Sequence, residues 1–202
     1  MTKIKFCGLS RFCDIEAVNE LRPEYVGFVF APKSRRYITP EKAADLKRML
    51  LKDILAVGVF VDENPETIIR LIKSGIIDIA QLHGHEDEAY IQSLRRAVGH
   101  PVIKAFRIKA KEDLADVEEC GADYVLLDSG AGTGEVFNWK LIKDIKRPYF
   151  LAGGLTPDNV EEAKAVLCPY AVDVSSGIET DGVKDRLKMA AFADVARKGR
   201  QI

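Results

Sequence analysis

Residues 149–179, YFLAGGLTPDNVEEAKAVLCPYAVDVSSGIE, contain the pattern that decides the fold of the chain. An apolar run ends in two glycines, Gly153 and Gly154. A helix is predicted to begin next, with Thr156 as its N-terminal cap and Pro157 as its first helical residue. A second apolar run follows and ends in Ser-Ser-Gly. The stretch is therefore predicted to be a strand–helix–strand unit whose strands both end in small residues.

The two strand ends carry groups that suit a phosphate. Free backbone N–H groups and hydroxyls bind anions, and the loops after strands 7 and 8 of an eight-stranded parallel barrel commonly bind phosphate. If these are strands 7 and 8, six more strands should precede them. The residues predicted to bind phosphate are Gly153, Gly154, Ser175, Ser176 and Gly177.

Eight apolar runs do occur, and their starts recur every ~20–30 residues, about the length of one strand plus one crossover helix. Most are continuous rather than alternating, as is typical of parallel strands covered on both faces. Amphipathic patterns in the intervals predict the helices, the last from about Lys184 to Arg197. The runs are Ile4–Cys7, Tyr25–Phe30, Leu55–Val61, Ile79–Leu82, Val102–Ile108, Tyr124–Leu127, Tyr149–Leu151 and Ala171–Val174.

The length of 202 residues and the 47% hydrophobic content suit one domain with one core. The predicted fold is therefore a single-domain (β/α)8 TIM barrel over residues 1–202. A doubly wound open sheet is the alternative. Such a sheet usually carries its glycine-rich turn after the first strand, whereas the glycine-rich turns of this chain come late.

Composition limits the partners of the chain. Thirty Lys and Arg residues balance 31 Asp and Glu residues, so neither a nucleic-acid partner nor a membrane partner is predicted. No apolar run approaches the ~20 residues that span a bilayer, no signal segment is apparent, and a cytoplasmic location is expected. The four cysteines form no CxxC pair, so neither a metal site nor a disulfide framework is predicted. Monomer and homodimer both stay open.

Chemistry in such a barrel is expected at the carboxyl ends of the strands. The first strand ends in a thiol, Cys7, and the sixth ends in a carboxyl, Asp128. Facing each other across the barrel mouth, these two groups could act as base and acid. Each also has a structural interpretation, Cys7 as a packed core thiol and Asp128 as a turn residue.

Other polar residues follow the second and fourth strands. Gln81 and His83 are predicted to contact the substrate, although His83 could be a structural histidine. Arg35 and Arg36 follow the second strand and could instead form a solvated loop.

The ordered motifs resemble the phosphoribosylanthranilate isomerase family, which are (β/α)8 enzymes of tryptophan biosynthesis. The resemblance covers nearly the whole chain. Its segments are KFCGLS at 5–10, GFVFAPKSRRYI at 27–38, VGVFV at 57–61, QLHG at 81–84, LLD at 126–128, LAGGLTPDNV at 151–160 and DVSSGIE at 173–179.

The resemblance implies an Amadori rearrangement of a phosphorylated sugar–anthranilate, N-(5-phosphoribosyl)anthranilate, without a metal or redox cofactor. It implies Asp128 as the general acid and Cys7 as the general base. It also implies that Arg36 binds the anthranilate carboxylate, which a guanidinium can bind through two hydrogen bonds.

The loop after the sixth strand, SGAGTGEVFNW, departs from the family pattern. Glu135 and Asn138 stand where the family usually has Lys and Asp, so loop closure or anthranilate packing is expected to differ. Competing interpretations are indole-glycerol-phosphate synthase, ribulose-phosphate epimerase, a non-catalytic phosphate-ligand binding protein and a redox-thiol protein.

Overall fold

In the computed structural model, eight parallel strands close into one barrel, each pairing with the next along the chain and the eighth with the first. The structure describes residues 2–108, 110–128, 139–143 and 145–198. The (β/α)8 prediction is confirmed, and each predicted strand is shifted by at most one residue at either end. The strands are β1 Lys3–Cys7, β2 Tyr25–Val29, β3 Leu55–Phe60, β4 Ile79–Leu82, β5 Val102–Arg107, β6 Tyr124–Asp128, β7 Tyr149–Ala152 and β8 Ala171–Val174.

Helical segments follow the strands, and their apolar sides pack against the barrel in one large core. Thr39 and Asn64 cap the N-termini of two helices, since their side-chain oxygens accept hydrogen bonds from Lys42 N and Glu66 N at 3.2 and 2.9 Å. No helix within the described ranges is long and apolar enough to cross a membrane. The helices are α1 Phe12–Leu21, α2 Pro40–Met49, α3 Pro65–Lys73, α4 Glu88–Val98, α5 Leu114–Glu119, α6 Val160–Leu167 and α7 Arg186–Arg197, with 3-10 turns at Lys111–Asp113, Trp139–Ile142 and Ser176–Ile178.

The predicted helix start at Thr156 is wrong, because α6 begins at Val160. The side chain of Asn159 folds back on the preceding loop, where its Oδ1 accepts from Thr156 N and its Nδ2 donates to Gly154 O, both at 2.9 Å. These bonds hold residues 156–159 in a turn, so regular helix starts one turn later than the Thr-Pro signal predicted.

The last helix also starts later than predicted. Lys184 belongs to a short hairpin of two further strands, β9 Glu179–Thr180 and β10 Val183–Lys184. α7 begins at Arg186, where the Asp185 carboxylate accepts a 2.9 Å hydrogen bond from Leu187 N. The hairpin places a buried lysine beside the barrel mouth, which matters for the site.

Aromatic rings fill the amino-terminal end of the barrel. Tyr25 and Tyr124 pack edge-on against Phe150, and Tyr124 stacks on Tyr170 with ring centroids 5.0 Å apart. The Lys3 ammonium donates to the Tyr170 hydroxyl at 2.7 Å. Because these side chains pack this end of the barrel, polar side chains of the strands can meet a ligand at the opposite, carboxyl end.

Candidate active site

A cavity of about 1020 Å³ opens at the carboxyl ends of the strands. Nine of the ten residues predicted for the site line it, although they come from six different strand ends or loops. The tenth, Gly177, packs closely against the backbone of Leu155. The nine are Cys7, Arg36, Gln81, His83, Asp128, Gly153, Gly154, Ser175 and Ser176.

Cys7 is the last residue of β1 and is buried beside a buried ion pair. Lys5, two residues earlier on the same strand, is fully buried, and its Nζ donates to Asp173 Oδ1 at 3.0 Å. The closing of β8 onto β1 pairs Lys5 with Asp173. Residues two apart in a strand share a face, so the Lys5 ammonium lies on the same side of β1 as the Cys7 thiol and favours its ionised form.

Burial and the neighbouring charged side chains determine the protonation state of the Cys7 thiol. Burial raises the pKa of the Cys7 thiol above its ordinary value, and the ammonium groups of Lys5 and Lys184 offset that rise only in part. Burial alone would lower the pKa of Lys5, but Asp173 and Cys7 together raise it, so Lys5 stays cationic. The thiol is therefore protonated in the resting protein at neutral pH, with a fixed cation beside it to stabilise the thiolate once it forms.

Asp128, the last residue of β6, lies on another side of the mouth. Two strands separate it from Cys7 in one direction around the barrel and four in the other. His83 Nε2 is 3.5 Å from Asp128 Oδ2, and Gln81 Nε2 is 3.5 Å from His83 Nδ1. The histidine therefore lies beside the predicted acid and not beside the predicted base.

Gln81 carries an acceptor that nothing in the described residues satisfies. Its Oε1 is buried and has no hydrogen-bond partner. A buried unpaired carbonyl oxygen is costly, and this side chain lines the cavity. A ligand N–H or O–H donor would satisfy the oxygen, which supports the predicted contact between Gln81 and substrate.

The two arginines after β2 differ in exposure. The Arg36 side chain is 21% exposed and lines the cavity, whereas that of Arg35 is 63% exposed. Both donate to the buried carboxylate of Glu179, Arg36 through Nε at 2.6 Å and Nη2 at 2.8 Å, and Arg35 through Nη2 at 3.1 Å. The solvated-loop interpretation therefore fails for Arg36, which the fold holds in place by an ion pair.

The loops after β7 and β8 pack directly on each other. Gly153 and Gly154 have positive φ angles of 89° and 66°. A Cβ on Gly177 would lie 1.9 Å from the carbonyl oxygen of Leu155, so the Ser-Ser-Gly turn approaches the Gly-Gly turn as closely as backbone allows. The Ser175 hydroxyl donates to Cys7 O at 3.0 Å, so that proton already has an acceptor, and a phosphate between the two turns would need other donors.

Three charged residues of the site were missed by sequence reasoning: Asp173, Glu179 and Lys184. Lys184 Nζ bonds Ser175 O at 3.0 Å and Glu179 Oε1 at 2.5 Å, and it is almost fully buried. Asp173 and Glu179 stand within the DVSSGIE motif. A carboxylate at each end of a Ser-Ser-Gly turn was the available signal, because buried carboxylates require cationic partners.

The loop that departs from the family pattern lies outside the described residues. It includes Glu135 and Asn138, whose predicted effect on loop closure stays a prediction.

Comparison with known proteins supplies the relatives of the chain. A family model described as N-(5'phosphoribosyl)anthranilate (PRA) isomerase matches residues 4–195. The N-(5'-phosphoribosyl)anthranilate isomerase of Thermoanaerobacter sp. (strain X514) is 46% identical over 204 residues, which covers 98% of each chain. That of Clostridium acetobutylicum is 45% identical over 207 residues, covering 98% of this chain and 99% of the relative.

Solved structures agree with these relatives. Phosphoribosyl anthranilate isomerase from Thermotoga maritima superposes with a TM-score of 0.90 at 36% identity, covering 98% of this chain and 99% of that one. A phosphoribosyl anthranilate isomerase in complex with reduced 1-(o-carboxyphenylamino)-1-deoxyribulose 5-phosphate superposes with a TM-score of 0.88, also at 36% identity and with the same coverage.

Proposed function

The chain belongs to the N-(5'-phosphoribosyl)anthranilate isomerase family, and we propose that Cys7 and Asp128 perform the family's reaction at the mouth of its barrel. The chain is an isomerase of tryptophan biosynthesis. It converts N-(5'-phosphoribosyl)anthranilate to 1-(2-carboxyphenylamino)-1-deoxyribulose 5-phosphate. We further propose that residues 1–202 act as one domain, in the cytoplasm.

The reaction begins with ring opening. Asp128 donates a proton to the furanose ring oxygen while the bond between that oxygen and C1 breaks. The lone pair of the anilino nitrogen forms the C1=N bond of a Schiff base. General acid catalysis of such a step contributes typically 10²–10⁴-fold, and the place of Asp128 at the cavity wall suits it.

Proton transfer from carbon follows. The Cys7 thiol first loses its proton to solvent, and the thiolate then takes the C2 proton. The electrons of that C–H bond form C1=C2, and the C=N electrons return to nitrogen. The resulting enolamine gains a proton at C1 while its C2 hydroxyl loses its proton, and this exchange gives the 2-keto product. The Lys5 ammonium stabilises the thiolate, and the Ser175 hydroxyl, bonded to Cys7 O at 3.0 Å, holds the end of β1.

Substrate binding divides between the two ends of the cavity. Arg36 binds the anthranilate carboxylate, and the packed turns at Gly154 and Ser176 receive the 5'-phosphate. The observation that carries the proposal is that Cys7, Asp128, Arg36 and both turns line one cavity, in a chain whose relatives share that activity by name. The acid and the base lie on different sides of the cavity, so one can reach the ring oxygen of the substrate while the other reaches C2.

The test is the decay of substrate fluorescence, since phosphoribosylanthranilate is a fluorescent anthranilate derivative. Cys7→Ser makes a much weaker base and Asp128→Asn removes the acidic proton, so each should lower kcat by ~10²-fold or more. Affinity for the product should stay within about tenfold, which is ~1.4 kcal/mol. Cys13→Ser, at an exposed thiol near the start of α1, is the matched control and should leave kcat unchanged.

Two results would contradict this assignment. Near-normal kcat in Cys7→Ser would make the thiol a packing residue. Loss of product affinity in step with kcat would mean that the substitution had damaged the site as a whole.

A further inference from the structure

Glu179 is a buried carboxylate that both arginines and a buried lysine contact. It begins β9, four residues after Ser175, and no step of the reaction uses it. Its Oε1 accepts from Arg36 Nε and Lys184 Nζ, and its Oε2 accepts from Arg36 Nη2 and Arg35 Nη2. Every usual acceptor position of the carboxylate is therefore occupied, and Glu179 is unavailable as a substrate ligand or base.

The ion pair with Glu179 determines which edge of the Arg36 guanidinium can still donate hydrogen bonds to a ligand. A guanidinium has five N–H donors. Glu179 takes one from Nε and one from Nη2, which leaves one on Nη2 and two on Nη1. The remaining edge still presents a parallel pair of donors, which is the geometry that binds a second carboxylate through two hydrogen bonds.

The aliphatic stem of Arg36 packs against Gly8. This glycine follows Cys7 and has a φ of +81°, a conformation that favours glycine. A Cβ at this position would lie 2.4 Å from Arg36 Cδ and 3.4 Å from Arg36 Cβ. The arginine stem therefore lies across the end of β1, between a glycine that makes room for it and a carboxylate that orients its head.

The charge of Lys184 reduces the repulsion between the Glu179 carboxylate and a substrate carboxylate bound to the same guanidinium. A substrate carboxylate bound to the free edge of Arg36 would lie close to Glu179, and like charges repel. The buried Lys184 ammonium and the Arg35 guanidinium both contact Glu179 and offset its charge. Arg36 thus keeps net positive character toward the cavity, although it is already ion-paired.

We propose that Glu179 is a positioning residue that aims the free edge of Arg36 into the cavity and thereby selects ligands with a carboxylate on the anilino ring. This proposal rests on the proposed function, in which Arg36 binds that carboxylate. Replacing Glu179 by Gln keeps one acceptor oxygen but sets an NH₂ donor against an Arg36 donor. The arginine head should then turn away from the cavity.

The experiment compares two ligands that differ only in the carboxylate. One is reduced 1-(o-carboxyphenylamino)-1-deoxyribulose 5-phosphate, and the other is its phenylamino analogue without the carboxyl group. Dissociation constants are measured for the wild type, Glu179→Gln, Arg36→Ala and the double variant, each below its melting temperature. Steady-state kinetics of the natural substrate accompany them.

A positioning role predicts a selective loss. Glu179→Gln should weaken the carboxylate ligand tenfold or more and the phenylamino analogue less than threefold. It should raise KM by a similar factor and lower kcat by less than threefold. Adding Glu179→Gln to Arg36→Ala should cost nothing further for either ligand, because the residue acts only through the arginine.

The controls separate the possible failures. Equal weakening of both ligands by Glu179→Gln would overturn the proposal and make Glu179 a structural residue. Equal weakening of both ligands by Arg36→Ala, or no weakening, would instead overturn the assignment of Arg36 in the proposed function. Asp123→Asn removes the bidentate partner of Arg95 outside the cavity and should leave both constants unchanged.

A second variant covers the case in which Glu179→Gln does not fold. Glu179→Asp keeps a negative charge near Lys184 but withdraws the carboxylate by one methylene from Arg36. It should show the same selective loss for the carboxylate ligand, and an unselective loss would count equally against the proposal.

Discussion

Replacing Lys5 by Met should both destabilise the barrel and make the Cys7 thiol less reactive. Methionine is close to lysine in shape but carries no charge. The substitution leaves the Asp173 carboxylate buried without the 3.0 Å partner that it has across the β1–β8 closure. It also removes the cation that partly offsets the effect of burial on the thiol.

The two effects have different magnitudes and different readouts. Removing one partner of a buried ion pair typically costs about 3–5 kcal/mol of unfolding free energy. A nearby opposite charge typically shifts a pKa by about 1–3, and a rise of one in the pKa of a thiol lowers its thiolate fraction about tenfold at a fixed pH. Alkylation of Cys7 near pH 8 should therefore slow by roughly tenfold or more.

The stability assay is urea unfolding, and the reactivity assay is iodoacetamide labelling followed by peptide mass spectrometry, which separates Cys7 from the other three cysteines. Lys104→Met is the matched control. Lys104 is also a buried lysine, paired with Glu86 at 2.7 Å, but it lies on β5, on the far side of the barrel from β1. It should lose comparable stability while the labelling rate of Cys7 stays at the wild-type value.

Equal labelling rates of Cys7 in Lys5→Met, Lys104→Met and the wild type would refute the reasoning. Lys5 would then be a structural partner of Asp173 with no influence on the thiol. Slower labelling in both lysine variants would point to a general tightening or distortion of the mouth instead of a local charge effect.

Two further substitutions test other parts of the site. Gly154→Val should raise KM tenfold or more, because a β-branched residue cannot easily adopt φ +66° and would block the turn proposed to bind the phosphate. Gly75→Val has similar backbone strain at φ +70° but lies in open space, so it should leave KM unchanged. Burial tends to raise the pKa of Glu179, but hydrogen bonds from Arg36 and Lys184 hold it below its ordinary value. Its contribution to stability is therefore present above roughly pH 4.3 and is lost as the pH falls further. The urea midpoint should fall more steeply toward low pH in the wild type than in Glu179→Gln, and parallel curves would contradict this.

The strands could be predicted because the signal for each one lies within a few residues. A parallel strand covered on both faces is mostly apolar along its whole length, and most of the eight runs show this pattern. Caps such as Thr39 are equally local. The start of α6 was predicted wrongly because the Asn159 side chain bonds the preceding loop, and this contact competes with the local Thr-Pro signal.

The polar ends of the strands also followed from sequence, because a barrel collects the carboxyl ends of its strands at one mouth. That rule is sufficient to place Cys7, Asp128 and the turns after β7 and β8 around one cavity. It does not distinguish Arg36 from Arg35, which are adjacent in the chain. Their difference in exposure depends on Gly8, which makes room for the Arg36 stem, and on Glu179, which accepts two hydrogen bonds from Arg36 and one from Arg35.

The sequence by itself therefore determined the strands, the fold and the residue types at the barrel mouth, since these depend on local periodicity and on one topological rule. Only the tertiary structure decided which charges meet. Lys5 and Asp173 are 168 residues apart, and Arg36 and Glu179 are 143 apart. Both pairs form because β8 closes onto β1, and a buried charge requires an oppositely charged partner.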